Sequence, residues 1–276
     1  MNAAHLPSAK PVRATRDSGC VVTPLRVELG YGVVSFDLDG TLVDTAGEIA
    51  LAANRALESH GLTGRSQAEI KGLIGEGSRQ LMLKLLARIL LEQPSLADAV
   101  RPDEVLEAFD QQLARTPASA AAPYPGARQA LERLRDAGVR LACVTNKELR
   151  HARRVLHAAH LDSLFALVIG GDSLPHKKPH ASVLRHVVET LHGDTRRAAH
   201  VGDSRIDVEA ARNAGVAAWA VPYGYNAGAP IADANPQRIF DSLGQVADHV
   251  LASRSASIGT MSPLPPTLRA SERRPC

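Results

Sequence analysis

Val33-Val34-Ser35-Phe36-Asp37-Leu38-Asp39-Gly40-Thr41 runs from an apolar stretch straight into two acids set two apart, with a glycine and a hydroxyl behind them. The apolar stretch reads as a buried strand, and in extended backbone residues two apart point the same way, so Asp37 and Asp39 project together from the strand's carboxyl end. Two close carboxylates repel unless a cation or a shared proton compensates. Such a pair therefore marks a metal or acid/base site, the alternative being solvated loop acids with capping duties. Gly40 supplies a tight turn and Thr41 a hydroxyl directly behind the acids, which favours the first reading. Asp44 reads as a structural helix N-cap.

Working outward, short apolar runs recur at 141–144, 167–169, 198–201 and 217–221. Helical periodicity separates them, at 127–137 (Pro125 before it, Gly138 after it), 148–159, 182–191 and 206–214. Alternating strand and helix predicts a parallel sheet with helices on both faces. The interval 45–123 breaks this rhythm. It holds no convincing strand but four amphipathic stretches, 46–59 ended by Gly61, 67–73, 78–91 and 103–113, with 118–125 as a return linker. An inserted helical cap at 45–123 is expected, leaving a core from 21–44 and 124–252. Residues 1–20 and 253–276 mix Ser, Pro and Arg without period and are expected to be disordered tails.

Composition narrows the function. The chain has 276 residues, 45% of them hydrophobic, enough to bury a proper core. Lys and Arg total 32 against 29 acids, and no basic run interleaved with aromatics suggests a nucleic-acid groove. Cys20, Cys143 and Cys276 are too few and too scattered for a disulfide framework or a CxxC zinc site, which points to a reducing compartment, the cytoplasm. Cys143 sits in an apolar run and reads as a packing residue. His151, His157, His160, His176, His180 and His200 show no metal-ligand spacing. No stretch approaches the ~20 apolar residues that span a bilayer.

Asp37-Leu38-Asp39-Gly40-Thr41-Leu42-Val43-Asp44 resembles the first motif of the haloacid-dehalogenase-like hydrolases. Three further matches follow in order: Val144-Thr145-Asn146, Lys177-Lys178-Pro179 and Gly202-Asp203-Ser204-Arg205-Ile206-Asp207. Each has a plain structural reading alone: a strand ending, a surface lysine, acids favouring a helix N-terminus. Their order carries the resemblance, which extends from Val33 to Val221. It implies an α/β fold, a Rossmann-like parallel sheet core with the inserted helical cap, and ligands at the carboxyl ends of the strands. It implies Asp37 as nucleophile and Asp39 as general acid/base, with Thr145, Asn146 and Lys178 around the phosphoryl group. It implies Mg²⁺ held by Asp37, the backbone carbonyl of Asp39 and Asp203, with Asp207 one layer out.

Gly170-Gly171-Asp172-Ser173-Leu174-Pro175 and Pro222-Tyr223-Gly224-Tyr225-Asn226 are similar to the phosphoglycolate phosphatases of the bacterial type. Ala181 and Ile206 depart from that subfamily's usual proline and asparagine without removing a catalytic group. The resemblance implies a Mg²⁺-dependent phosphatase acting on a small phosphorylated metabolite, 2-phosphoglycolate, in carbohydrate metabolism, with no nucleic-acid or membrane partner and the oligomeric state open. A hexose-phosphate mutase using the same aspartates is the alternative enzyme, and a non-catalytic module keeping only the scaffold the alternative class. The cap is expected to close over the site, with Gly75-Glu76-Gly77 as a candidate loop or a simple turn. Arg79 is expected to meet the substrate carboxylate, an exposed helical arginine being its plainer reading.

Overall fold

Phe36, at the end of the first strand, pairs with Cys143 on one side and Val201 on the other, so the strand that carries the two acids lies inside the sheet. The computed structural model describes residues 30–117 and 122–258; the expected tail at 1–20 and the chain from 259 lie outside them. In chain order the first half comprises β1 (Val33–Phe36), β2 (Val43–Asp44), α1 (Ala46–Ser59), α2 (Gln67–Lys71), α3 (Ser78–Glu92), α4 (Pro102–Arg115) and β3 (Ala122–Pro123). The second comprises α5 (Ala127–Asp136), β4 (Arg140–Val144), α6 (Leu149–Ala158), β5 (Leu167–Ile169), α7 (Ala181–Thr190), β6 (Ala198–Gly202), α8 (Arg205–Ala214), β7 (Ala217–Ala220), β8 (Arg238–Ile239) and α9 (Leu243–Ile258).

Six strands form one sheet in the order β5-β4-β1-β6-β7-β8, every pair parallel. Side chains alternate across it. Val34, Phe36, Leu141, Cys143 and Val201 pack toward α5, α6 and α9, while Val33, Ala142, Val144 and Ala198 pack toward α7 and α8. Burial on both faces is why these strands read as unbroken apolar runs. The chain steps from β1 to β4 and β5 on one side, then to β6, β7 and β8 on the other. That reversal opens a crevice at the carboxyl ends of β1, β4 and β6, the place where an open α/β sheet takes its ligand.

The cap has a core of its own. Ala53, Ala56 and Leu57 of α1, Met82, Leu85 and Ile89 of α3, and Phe109 and Leu113 of α4 are all buried in one cluster. At ~1.5–3 kcal/mol for each large apolar side chain removed from water, this cluster supports the insert independently of the sheet.

Two expectations need correction. The crossing between core and cap is not strand-free: β2 and β3 pair antiparallel, Val43 opposite Pro123 and Asp44 opposite Ala122, so entry and exit run side by side. Two-residue strands are too short to show a period, and Pro123 lacks the N–H that would advertise one. Of the expected linker, 118–121 lie outside the described residues. The C-terminal helix also runs past 252 to Ile258, where Arg254 donates to the carbonyls of Tyr31 at 2.9 Å and Ala137 at 3.0 Å. A serine- and arginine-rich composition hid a helix end held by one long side chain.

Candidate active site

Asp37 directly follows β1 and continues its pairing, its N–H donating to Val201 O at 2.9 Å. Leu38 then turns into the core, and Asp39 lines the same cavity as Asp37. The turn needs glycine at 40 for two reasons: its φ is +87°, and a Cβ there would collide with the Asp203 carboxylate. Behind it the Thr41 hydroxyl donates to Asp203 Oδ1 at 2.9 Å.

At the end of β4, the Thr145 hydroxyl accepts the Lys147 N–H at 3.2 Å. The Asn146 amide donates to Gly75 O of the cap at 3.1 Å and to Lys178 O at 3.0 Å, so both of its hydrogens are engaged. The Lys178 ammonium, buried, lies 2.7 Å from Val144 O, 2.7 Å from Asp207 Oδ1 and 2.8 Å from Asp37 Oδ1. After β6, Ser204 and Asp207 form a capping box that opens α8, Asp207 Oδ2 accepting the Ser204 hydroxyl at 2.6 Å and its N–H at 3.1 Å. Asp203 Oδ2 accepts the Tyr225 N–H at 2.7 Å. The folded chain thus brings Asp37, Asp39, Thr145, Asn146, Lys178, Asp203 and Asp207 to one crevice.

The charges in it do not balance. Burial pushes the Asp37 carboxyl up to about 7, the negative charges of Asp207 and Asp39 adding to it and Lys178 opposing. Burial likewise drives Asp203 well above the usual carboxylate range, reinforced by Asp207 and Asp37. Asp207 goes the other way: burial would raise it, but Lys178 and His200 hold it below that range. Lys178, which burial would lower, is kept above its ordinary value by Asp207 and Asp37. One oxygen from each of Asp37, Asp203 and Asp207 lies within 4.8 Å of the others. Three buried carboxylates against one ammonium form a set of hard oxygen donors with surplus negative charge, which fits Mg²⁺.

The site also uses residues that sequence reading passed over. Lys147, its side chain only 4% exposed, places Nζ 2.9 Å from Asp39 Oδ1. The Thr45 hydroxyl donates to the same oxygen at 2.6 Å. Lys147 directly follows Thr145-Asn146, but a charge just past a strand end reads as solvated, and its burial comes from the cap. His200 is buried behind the site, 2.9 Å from the Ser35 hydroxyl and 3.2 Å from Asp207 Oδ1.

Asp44 is not the N-cap of α1; Thr45 holds that position. Asp44 Oδ1 instead accepts the Ala46 N–H at 3.2 Å and the Tyr225 hydroxyl at 2.7 Å, a cap displaced by one residue because the β2 ribbon extends through it. Burial raises the Cys143 thiol strongly, in keeping with a packing role. Above the acids, Ile49, Ile74, Leu81 and Phe109 of the cap roof a narrow cavity, and Gly75 and Gly77 lie in its wall. Arg79 does not face this cavity: its side chain is 66% exposed and stands 3.5 Å from Asp103. A residue opening a helix can point to either side, and here Ser78 and Leu81 take the inward face.

A family model described as haloacid dehalogenase-like hydrolase matches residues 34–221. A protein of Vibrio vulnificus (strain CMCP6) named phosphoglycolate phosphatase is 37% identical over 221 residues, 80% of this chain and 96% of that one. A crystal structure from Haemophilus somnus 129PT, described as a predicted phosphoglycolate phosphatase, superposes with a TM-score of 0.75 at 31% identity, over 79% of this chain and 97% of that one. A Thermotoga maritima structure with a provisional β-phosphoglucomutase name is similar in fold, with a TM-score of 0.62 at 23% identity, over 80% of this chain and 98% of that one.

Proposed function

The chain belongs to the haloacid dehalogenase-like hydrolases, and on that premise we propose that it hydrolyses 2-phosphoglycolate to glycolate and phosphate through an aspartyl-phosphate on Asp37. Kinship with phosphoglycolate phosphatases over 80% of its length makes it a phosphoric monoester hydrolase; the substrate and the chemical route are what is proposed. One observation carries the route: Asp37 lies at the reversal point of the sheet, 2.8 Å from Lys178, and lines one cavity with Asp39.

In this reading an Asp37 oxygen attacks phosphorus while the ester P–O bond breaks, and Asp39 gives its proton to the leaving glycolate oxygen. Asp39 then takes a proton from water as that water attacks phosphorus, and the P–O bond to Asp37 breaks to release phosphate. Lys178 offsets the charge of Asp37 and the transferring group, and the Thr145 hydroxyl holds a phosphoryl oxygen. Asp37, Asp203 and the backbone carbonyl of Asp39 would hold Mg²⁺, which, when bound, draws charge from the phosphoryl oxygens. Asp207 would act one layer out, because Lys178, His200 and Ser204 already occupy both of its oxygens. The cap encloses the reacting groups and limits access of bulk water.

The test is a panel of phosphomonoesters assayed for phosphate release with Mg²⁺. The highest kcat/KM is expected for 2-phosphoglycolate. A hexose phosphate or nucleotide turned over more efficiently would overturn the substrate and leave the phosphatase chemistry standing. The mutase-named neighbour shares the fold at an identity too low to favour phosphoryl return over hydrolysis.

A further inference from the structure

Of the described residues lining the cavity between cap and core, Lys147 alone carries a positive charge. Its ammonium has three hydrogens to donate, and among the described residues Asp39 Oδ1 is its one hydrogen-bond partner, with the Glu48 carboxylate close enough to feel its charge. Asp39 Oδ1 does not depend on it, since the Thr45 hydroxyl donates to the same atom at 2.6 Å. That leaves two ammonium hydrogens which an entering anion can accept.

Apart from the Thr145 hydroxyl, assigned above to a phosphoryl oxygen, no other side chain in the wall can take that role. The Ser78 hydroxyl gives its hydrogen to Glu148 Oε2 at 2.6 Å, and both hydrogens of the Asn146 amide are engaged. Lys177 is committed outside, to Glu76 O at 2.5 Å, and Arg79 points to solvent. The roof is apolar. The N-terminus of α3, which has no side-chain cap, opens on the same wall at Gly77 and Ser78 and adds a second positive end.

Reach supplies the rest. Asp39 must lie within hydrogen-bonding distance of the leaving oxygen to protonate it, and Lys147 Nζ is 2.9 Å from Asp39 Oδ1. In 2-phosphoglycolate the carboxylate oxygens are only three bonds from that leaving oxygen. Resting on the phosphoglycolate reading above, we infer that Lys147 reads the substrate's carboxylate, selecting phosphomonoesters whose leaving group carries a second negative charge close to the ester oxygen.

The experiment compares 2-phosphoglycolate with 2-hydroxyethyl phosphate, which replaces the carboxylate by a neutral CH₂OH, in the wild type, Lys147→Met and Lys147→Arg. Wild type should favour phosphoglycolate. Lys147→Met should cut the ratio of the two kcat/KM values by about 10- to 100-fold, the worth of a charge-assisted hydrogen bond, mostly through KM for phosphoglycolate. Any loss from disturbing Asp39 falls on both substrates and cancels in the ratio. Lys147→Arg should restore part of the ratio, and Lys147→Gln replaces the methionine variant if that does not fold. An unchanged ratio with both activities reduced would overturn the assignment and leave Lys147 as a positioning residue for Asp39. A wild type that prefers the neutral ester fails before any variant is made, and would overturn the substrate proposal together with this one.

Discussion

Thr41 and Asp203, 162 residues apart in sequence, meet in a 2.9 Å hydrogen bond from the threonine hydroxyl to Asp203 Oδ1. The bond joins the loop after β1 to the loop after β6, and with the Tyr225 N–H it fixes where the Asp203 carboxylate stands relative to Asp37.

Thr41→Val keeps the shape of the side chain and removes the donor. Asp203 is then left buried and one partner short, which should lower stability by roughly 1–3 kcal/mol in urea denaturation and raise the Mg²⁺ concentration needed for half-maximal activity. Thr41→Ser should behave like wild type in both measurements. A valine variant with unchanged stability and Mg²⁺ requirement would show that the bond has no organising role.

Chelation should abolish phosphate release and Mg²⁺ restore it, with Ca²⁺ inhibiting because its looser, higher coordination disturbs in-line geometry. The partners of the two late acids rank their substitutions. Asp203→Asn should raise the Mg²⁺ requirement most. Asp207→Asn should instead cost stability, since Lys178, His200 and both donors of Ser204 converge on that carboxylate. Metal titrations and melting curves of the two variants check this, and the reverse ranking would mean that Asp207 is the direct ligand.

Asp39→Asn keeps an acceptor for Lys147 and Thr45 but cannot exchange a proton, so kcat should fall by about 10²–10⁴ with the fold intact. The loss should be smaller for an aryl phosphate, whose leaving oxygen needs little protonation. Equal losses on the aryl and alkyl esters would remove the acid role.

Cap and core meet in a buried ion pair. Glu48 on α1, its side chain 1% exposed, is bound by Arg154 on α6, which also donates to Ala114 O at 3.2 Å and to Thr116 O at the end of α4. Burial raises the Glu48 carboxyl against the pull of Lys147 and Arg154. Arg154→Met leaves Glu48 without its hydrogen-bond partner, with only the charge of Lys147 still offsetting it. The cost should fall somewhat below the ~3–5 kcal/mol of a fully buried pair, because the Arg154 side chain remains 27% exposed. Adding Glu48→Gln should recover part of it, as equilibrium unfolding of the three variants would reveal; an additive double variant would contradict the coupling.

The strands that position the site were legible because β1, β4 and β6 are covered on both faces, and continuous apolar runs ending in Asp37, Thr145 and Gly202 have no other ready explanation. The four helices of the cap were legible for the complementary reason, a helical period with glycine or proline near the ends. What escaped depends on contacts between distant segments. Lys147, Glu48 and Arg154 are charged residues that look solvated in their own stretches and are covered only when the cap docks. Asp44 lost its expected capping position to a ribbon of two-residue strands. Arg79, expected to meet the substrate carboxylate, lies on the expected helix but on its outer face, since Ser78 and Leu81 take the inner one.

The central claim is that phosphate passes through Asp37, and rapid quench of the enzyme during turnover of 2-phosphoglycolate tests it most directly. Reduction of the quenched protein with borohydride, followed by peptide mass spectrometry, should find homoserine at position 37 in the wild type, as expected for a trapped acyl phosphate. Asp37→Asn, with a native circular dichroism spectrum, should give neither the label nor steady phosphate release. Sustained phosphate release by Asp37→Asn, or a wild type that releases phosphate with residue 37 never modified, would contradict the covalent route.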